Sequence, residues 1–172
     1  MLRIIDVTSP DINNGLGVRV TVWVTGCGHK CPKCHNRWLW KYNQGHEVNG
    51  DFLADLYKKL DKKYVKGITF SGGDPLYQDN KGLDEIIAIM KWFKENFPDK
   101  DAWLYTGFTF EEILNDQKKI DVVDKFDYLV EGRFVNELKD PMLPFRGSKN
   151  QRILKVKESL EKQKPINLFM GD

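Results

Sequence analysis

The sequence predicts an α/β fold, a partial, open (β/α) barrel of about five to six parallel strands with crossover helices between them. Three observations predict it. Apolar, β-branched runs alternate with stretches whose apolar residues recur at helical spacing, the pattern of parallel strands joined by right-handed crossovers. Each such unit takes roughly 30 residues, so the 172-residue chain falls short of the ~250 that a closed eight-fold barrel needs and leaves a partial barrel or an open sheet. The segments rich in turn formers and reactive side chains follow the strands, where the carboxyl-end loops of parallel sheets host chemistry.

The first strand is VRVTVWV, residues 18 to 24, ended by Thr25-Gly26. From Asp51 the apolar residues Leu53, Leu56, Tyr57, Leu60 and Tyr64 mark an amphipathic helix with Asn49 or Asp51 as N-cap. Gly67 to Phe70 reads as a short buried strand running into the turn formers Ser71-Gly72-Gly73-Asp74-Pro75. Leu83, Ile86, Ile87, Met90 and Phe93 give the next helix, stopped by Pro98. Ala102 to Tyr105 is another strand, closed by Thr106-Gly107, and Phe108 to Leu114 a short helix. Phe126 to Val130 and Ile153 to Val156 complete the strands. There is no internal repeat, low-complexity segment or linker, so residues 1-172 are expected to form one domain.

Composition narrows the function classes. A net charge of +2 requires no polyanionic partner, although lysines are dense over Lys58 to Lys66 and Lys155 to Lys164. No apolar run approaches a membrane span and no leader precedes the first strand, so a cytoplasmic protein is expected. The three cysteines are too tightly clustered for a disulfide framework, which leaves metal binding as the reading of GCGHKCPKCHN, residues 26 to 36.

Cys27, Cys31 and Cys34 follow the first strand at C-x3-C-x2-C spacing, which lets one loop curl three sulfurs around a single centre. Geometry alone leaves the metal open. Structural zinc would recruit His29 or His35 as a fourth, closing ligand. Three unrelated buried thiols are a second reading. A four-iron cluster has one more iron than this loop has thiolates, so one iron stays free for an exogenous ligand.

The cysteine spacing, followed one β-α unit later by Ser71-Gly72-Gly73-Asp74-Pro75, resembles the radical S-adenosylmethionine enzymes. The resemblance implies the partial barrel of that superfamily, a 4Fe-4S cluster on Cys27, Cys31 and Cys34, and S-adenosylmethionine chelating the open iron through its amino and carboxylate groups. It implies that Gly73 and Gly72 lie against the methionine moiety, where glycine lets the backbone approach, and that Lys33, Cys34 and His35 border the cofactor. Asp74 would orient the methionine amino group, or serve only as a turn former or N-cap. Lys33 stands where the superfamily has an aromatic residue, and its alternative is a solvated loop lysine.

Further segments narrow the resemblance: Asp11 to Arg19, Cys31 to Asn36, Trp103 to Phe108, Asp127 to Phe134 and Phe145 to Arg152. Together they resemble the activating proteins of anaerobic ribonucleoside-triphosphate reductase, over about residues 1-156, with 157-172 as a C-terminal tail. The implied activity is reductive cleavage of S-adenosylmethionine to a 5′-deoxyadenosyl radical that makes a glycyl radical on the large reductase subunit. The implied partners are that subunit and a low-potential electron donor such as flavodoxin, with no membrane and no direct nucleic acid. Arg133, Arg146, Ser148, Asn150 and Gln151 read either as partner docking and cofactor support or as a hydrogen-bonded surface loop, and His46 as a surface residue. The alternatives are another small radical enzyme, acting on a different glycyl-radical partner or forming a deazapurine, and a zinc-stabilised binding module.

Overall fold

The computed structural model describes residues 1-172. In chain order its elements are β1 (Arg3–Asp11), β2 (Val18–Val24), β3 (His46–Glu47), α1 (Gly50–Leu60), β4 (Val65–Gly72), α2 (Asn80–Asn96), β5 (Asp101–Tyr105), α3 (Phe110–Leu114), α4 (Gln117–Val123), β6 (Tyr128–Glu131), β7 (Arg152–Lys155) and α5 (Val156–Lys162). The seven strands form one sheet in the order β3-β1-β2-β4-β5-β6-β7. Pairing is parallel across β2, β4, β5 and β6 and antiparallel at β1–β2, β1–β3 and β6–β7.

This mixed sheet corrects the expected parallel (β/α) barrel. Parallel neighbours need a crossover of a dozen or more residues, whereas β1 reaches β2 through residues 12–17 alone and therefore returns antiparallel. Between β6 and β7 the chain makes only a one-turn 3-10 helix, Asn136–Leu138, and β7 again runs antiparallel. The helices cover one face. Val20, Val22, Val24, Ile68, Phe70, Ala102, Leu104, Leu129 and Leu154 alternate toward that face and pack with Leu56, Leu60, Ile86, Met90, Phe93, Phe110, Ile113, Val122 and Val123 into the main core.

The opposite face is built differently. Arg19, fully buried, pairs with Asp101 at 2.7 Å, donates to Thr69 Oγ1 and to the Ile68 carbonyl and lies over the Trp103 ring. Beside it Trp103, Val130 and Ile153 form a small cluster packed by Phe145, Leu168 and Phe169. Loops and the C-terminal tail close this face where a barrel would have carried its sheet around.

Side-chain caps start α1, α2 and α3. Asn49 Oδ1 accepts the Phe52 N–H at 2.9 Å, Asp79 accepts the Gly82 N–H at the start of α2, and Thr109 and Glu112 form a reciprocal capping box on α3. No helix is long and apolar enough to cross a membrane.

Candidate metal centre

The four parallel strands end on one side of the sheet, and the loop after each lines a single cleft: Cys27, Cys31 and Cys34 after β2, Gly72 to Asp74 at the end of β4, Thr106 and Gly107 after β5, Gly132 and Phe134 after β6. A crevice outside the carboxyl ends of parallel strands is the usual ligand position in open α/β sheets. The expected rim of loops is therefore present although the barrel is not.

The cysteine loop is closed on itself. Gly26 N–H donates to the Leu39 carbonyl at 2.7 Å and Cys27 N–H to the Trp40 carbonyl at 3.2 Å, and Leu39 is fully buried as the peg that holds the return. Lys30 and Lys33 adopt left-handed backbone, φ 53° and 58°, each one residue before a cysteine. Such residues turn successive N–H groups inward, the arrangement that binds anions at many iron–sulfur sites. Backbone N–H groups do aim at the sulfurs: those of His29 and Lys30 at Cys27, that of Phe134 at Cys31, and that of Asn36 at Cys34 Sγ, 3.4 Å away.

At Cys27 and Cys31 those donors do not by themselves make thiolates. Burial pushes the Cys27 thiol up to about 12, the Asp74 carboxylate adds to the rise, and the N–H groups only partly oppose it. Cys31 is likewise raised, mainly by burial. A metal centre supplies the positive charge that such sites need, since metal binding releases the thiol protons. Three sulfurs on one cleft wall, each with N–H support and with no fourth cysteine in the chain, fit a cluster that keeps one iron free of protein ligands.

The Gly72-Gly73 turn is pressed onto this loop. Gly73 N–H donates to Val24 O and Asp74 N–H to Gly26 O, both at 2.8 Å. A Cβ on Gly73 would stand 2.5 Å from Gly26 O, and one on Gly72 (φ +113°) 2.4 Å from Val24 O, so any side chain would push the cysteine loop off the turn. Asn36 adds a bond from its Nδ2 to Gly72 O at 3.1 Å.

Asp74, 1% exposed, ties three of the four loops together. Its Oδ1 accepts the Leu76 N–H and the Thr106 hydroxyl, each at 2.8 Å. Its Oδ2 accepts the Gly107 N–H and lies 2.8 Å from His29 Nε2, so Nε2 carries the ring proton. The carboxylate is filled by protein donors. His29 packs edge-on against Tyr77 and Phe108, which stack on each other. The donor atoms of Cys27, His29 and Asp74 lie within 4.8 Å of one another, and the hydrogen bond to Asp74 holds the His29 ring through Nε2.

The other candidate residues fall as follows. His35 lines the cleft with its ring against Phe134. Lys33 is exposed, on the outside of the loop. Arg133 pairs with Glu112 and Arg146 with Asp172. Gln151 accepts the Gly147 and Ser148 N–H groups and donates to Gly132 O, Asn150 donates to Arg133 O, and Ser148 Oγ accepts the Val135 N–H. This segment braces residues 132–135, which carry Phe134 against His35. His46 is exposed.

Sequence reading did not single out the His29–Asp74–Thr106 contact or the buried Glu131, which accepts the Phe110 N–H and pairs with Arg152. These partners are 21 to 45 positions apart, and no local spacing marks them.

Comparison with known proteins points to an iron–sulfur domain. The family model described as a 4Fe-4S single cluster domain matches residues 13–154. An anaerobic ribonucleoside-triphosphate reductase-activating protein of Enterobacteria phage T4 is 40% identical over 143 residues, covering 83% of this chain and 87% of its own. Proteins of the same description from Salmonella typhimurium and Escherichia coli K12 are 40% and 38% identical, each covering 82% of this chain and 90% of their own. The family-model match over residues 13–154 spans the cysteine loop, the Gly-Gly turn and the bracing segment at the far rim, and the chain belongs to the family of anaerobic ribonucleoside-triphosphate reductase-activating proteins.

Proposed function

We propose that the protein is a radical S-adenosylmethionine activase, which cleaves that cofactor reductively and uses the resulting 5′-deoxyadenosyl radical to generate a glycyl radical on an anaerobic ribonucleoside-triphosphate reductase. The observation that carries the reading is the convergence of three cysteines and a Gly-Gly turn on one cleft at the carboxyl ends of four parallel strands. When bound, the reduced 4Fe-4S cluster and S-adenosylmethionine supply the electron transfer and the radical.

The chain's own residues bind, orient and shield. Cys27, Cys31 and Cys34 hold the cluster. Gly72 and Gly73 present backbone to the methionine part of the cofactor, His35 lines the same cleft, and Lys33 is exposed and off that lining. Asp74 acts as a positioning residue, because its hydrogen bonds fix the three loops that meet at the cleft. Phe134 and Val130, both on the lining, exclude water from the place where a radical must survive. The open cleft suits a substrate that is a loop of another protein.

Anaerobic reconstitution with iron and sulfide, reduction, and addition of S-adenosylmethionine should yield 5′-deoxyadenosine, and with the reductase present a glycyl radical by electron paramagnetic resonance. Cys34→Ala should lower bound iron and abolish the nucleoside product. Stoichiometric zinc in place of the cluster, or full turnover by Cys34→Ala, would sink the reading. Nucleoside without a radical on the reductase would redirect it to another glycyl-radical partner.

A further inference from the structure

Charge is distributed very unevenly along this chain. Between Asp11 and Glu47 there is no Asp or Glu, while the rest of the chain has more acidic than basic residues. The cations of the acid-free stretch, apart from buried Arg19, are Lys30, Lys33, Arg37 and Lys41, and all four are exposed. None takes part in an ion pair, although ion pairs bind Lys and Arg residues throughout the rest of the molecule.

Their placement adds meaning to their number. They sit on the cysteine loop and its return, with the sulfurs on the cleft side and the cations elsewhere: none of the four lines the cleft. Lys30 adjoins Cys31 and Lys33 adjoins Cys34. Among them Trp38 is 59% exposed and Tyr42 46%, and Arg37 lies over the Trp40 ring. Uncompensated cations interleaved with exposed aromatic side chains are the composition of a protein-docking patch, with charge for steering and ring area for contact.

We propose that this outer face of the cysteine loop docks an acidic electron-donor protein, which passes one electron to the cluster through the loop. The inference rests on the activase reading. The reductase's glycine has to enter the cleft, so the outside of the loop is left for the donor, and complementary charge calls for an acidic face. In the step, the donor's reduced prosthetic group loses one electron and the cluster gains it; no bond forms or breaks and no proton moves.

Reduced flavodoxin serves as the probe. Its binding to the protein, followed by calorimetry at low and high salt, should be salt-sensitive in the wild type and at least tenfold weaker in Arg37→Glu/Lys41→Glu, a variant that leaves the residues beside the cysteines unchanged. Lys30→Glu/Lys33→Glu added to it should weaken binding further and flatten the salt dependence. Reduction by flavodoxin in a stopped-flow mixer should slow in parallel, while dithionite reduces the double variant as fast as the wild type. Unchanged flavodoxin binding in the fourfold variant with a retained iron content overturns the proposal, as does weakened binding of the reductase with flavodoxin unaffected. Failure of dithionite-reduced wild type to cleave S-adenosylmethionine would instead overturn the activase reading, and the binding titration still judges the patch.

Discussion

Asp74 is the residue on which the site turns. A carboxylate that is 1% exposed persists only when its lone pairs are used, and here donors from the cysteine loop, from its own turn and from the loop after β5 use them. Asp74→Asn keeps the shape but turns an acceptor into a donor facing the Gly107 N–H or His29 Nε2. That leaves a buried donor unpaired, and removing a charge-assisted bond of this kind costs about 2 to 3 kcal/mol. Urea unfolding of the apo-protein should show that loss, and His29→Gln combined with Asp74→Asn should lose markedly less than the two single losses added, because the residues share the bond. Strictly additive losses would mean that the pair does not hold the loops. That Cys27, Cys31, Cys34, Gly72 and Gly73 would share one cleft was legible in the sequence because their spacing is local. The role of Asp74 was legible only in part: the turn is written in Ser71-Gly72-Gly73-Asp74-Pro75, but its partner His29 is 45 residues away.

At the scale of elements, α3 shows how the far rim is fixed. Glu131, at the end of β6 and fully buried, accepts the Phe110 N–H at 2.7 Å and pairs with Arg152 on β7. Arg152 also reaches Glu111, while Arg133 makes a separate exposed pair with Glu112. The two arginines should therefore behave differently. Arg152→Leu strands a buried carboxylate and should cost about 3 to 5 kcal/mol, whereas Arg133→Leu removes a surface pair and should cost under about 1 kcal/mol. Equal losses in denaturant titrations would refute the distinction. The acid limb follows from the same pairs. Arg152 holds the Glu111 carboxyl below its ordinary value and Arg133 does so for Glu112. A depressed folded pKa gives stability that is complete above the unfolded value and fades as pH falls through the folded one, so Glu111→Gln/Glu112→Gln should flatten the stability profile below about pH 4.5. A profile as steep as the wild type's would place the acid sensitivity elsewhere. Elements with strong local signals, such as α1, α2 and β2, were legible. β1 was not, because Ser9-Pro10 and register shifts between Ile4 and Asp6 and between Thr8 and Asp11 break its alternation, and α4 opens on the polar Gln117-Lys118-Lys119.

For the whole molecule, the direction of strands was the part that local pattern does not contain. Apolar runs at β6 and β7 read alike whichever way they pair; the short link before β2, residues 12–17, forces an antiparallel return, whereas the longer link before β7 holds no crossover helix, only a single 3-10 turn. A mixed sheet with helices on one side needs another cover for its second face, and the tail provides it. Lys155 N–H donates to Ile166 O at 2.9 Å and Leu168 N–H to Ile153 O at 2.8 Å, so the tail runs beside β7 as a partial strand. Leu168 and Phe169 pack on the cluster of Trp103, Val130 and Ile153, and Asp172 grips the Arg146 guanidinium through two bonds, 2.8 and 2.9 Å. Removing residues 164–172 should wet Trp103, now 0% exposed, and lower stability by about 2 to 4 kcal/mol, the value of one or two apolar side chains. The Lys155 amide should lose protection from hydrogen exchange, since its acceptor is gone. Iron loading should survive, because the cysteine loop and the Gly-Gly turn hold each other through Val24 and Gly26. Unaltered stability and exchange would show the tail to be dispensable. Loss of iron with stability intact would instead show that the tail reaches the centre through Arg146 and Gly147, the latter of which lines the cleft.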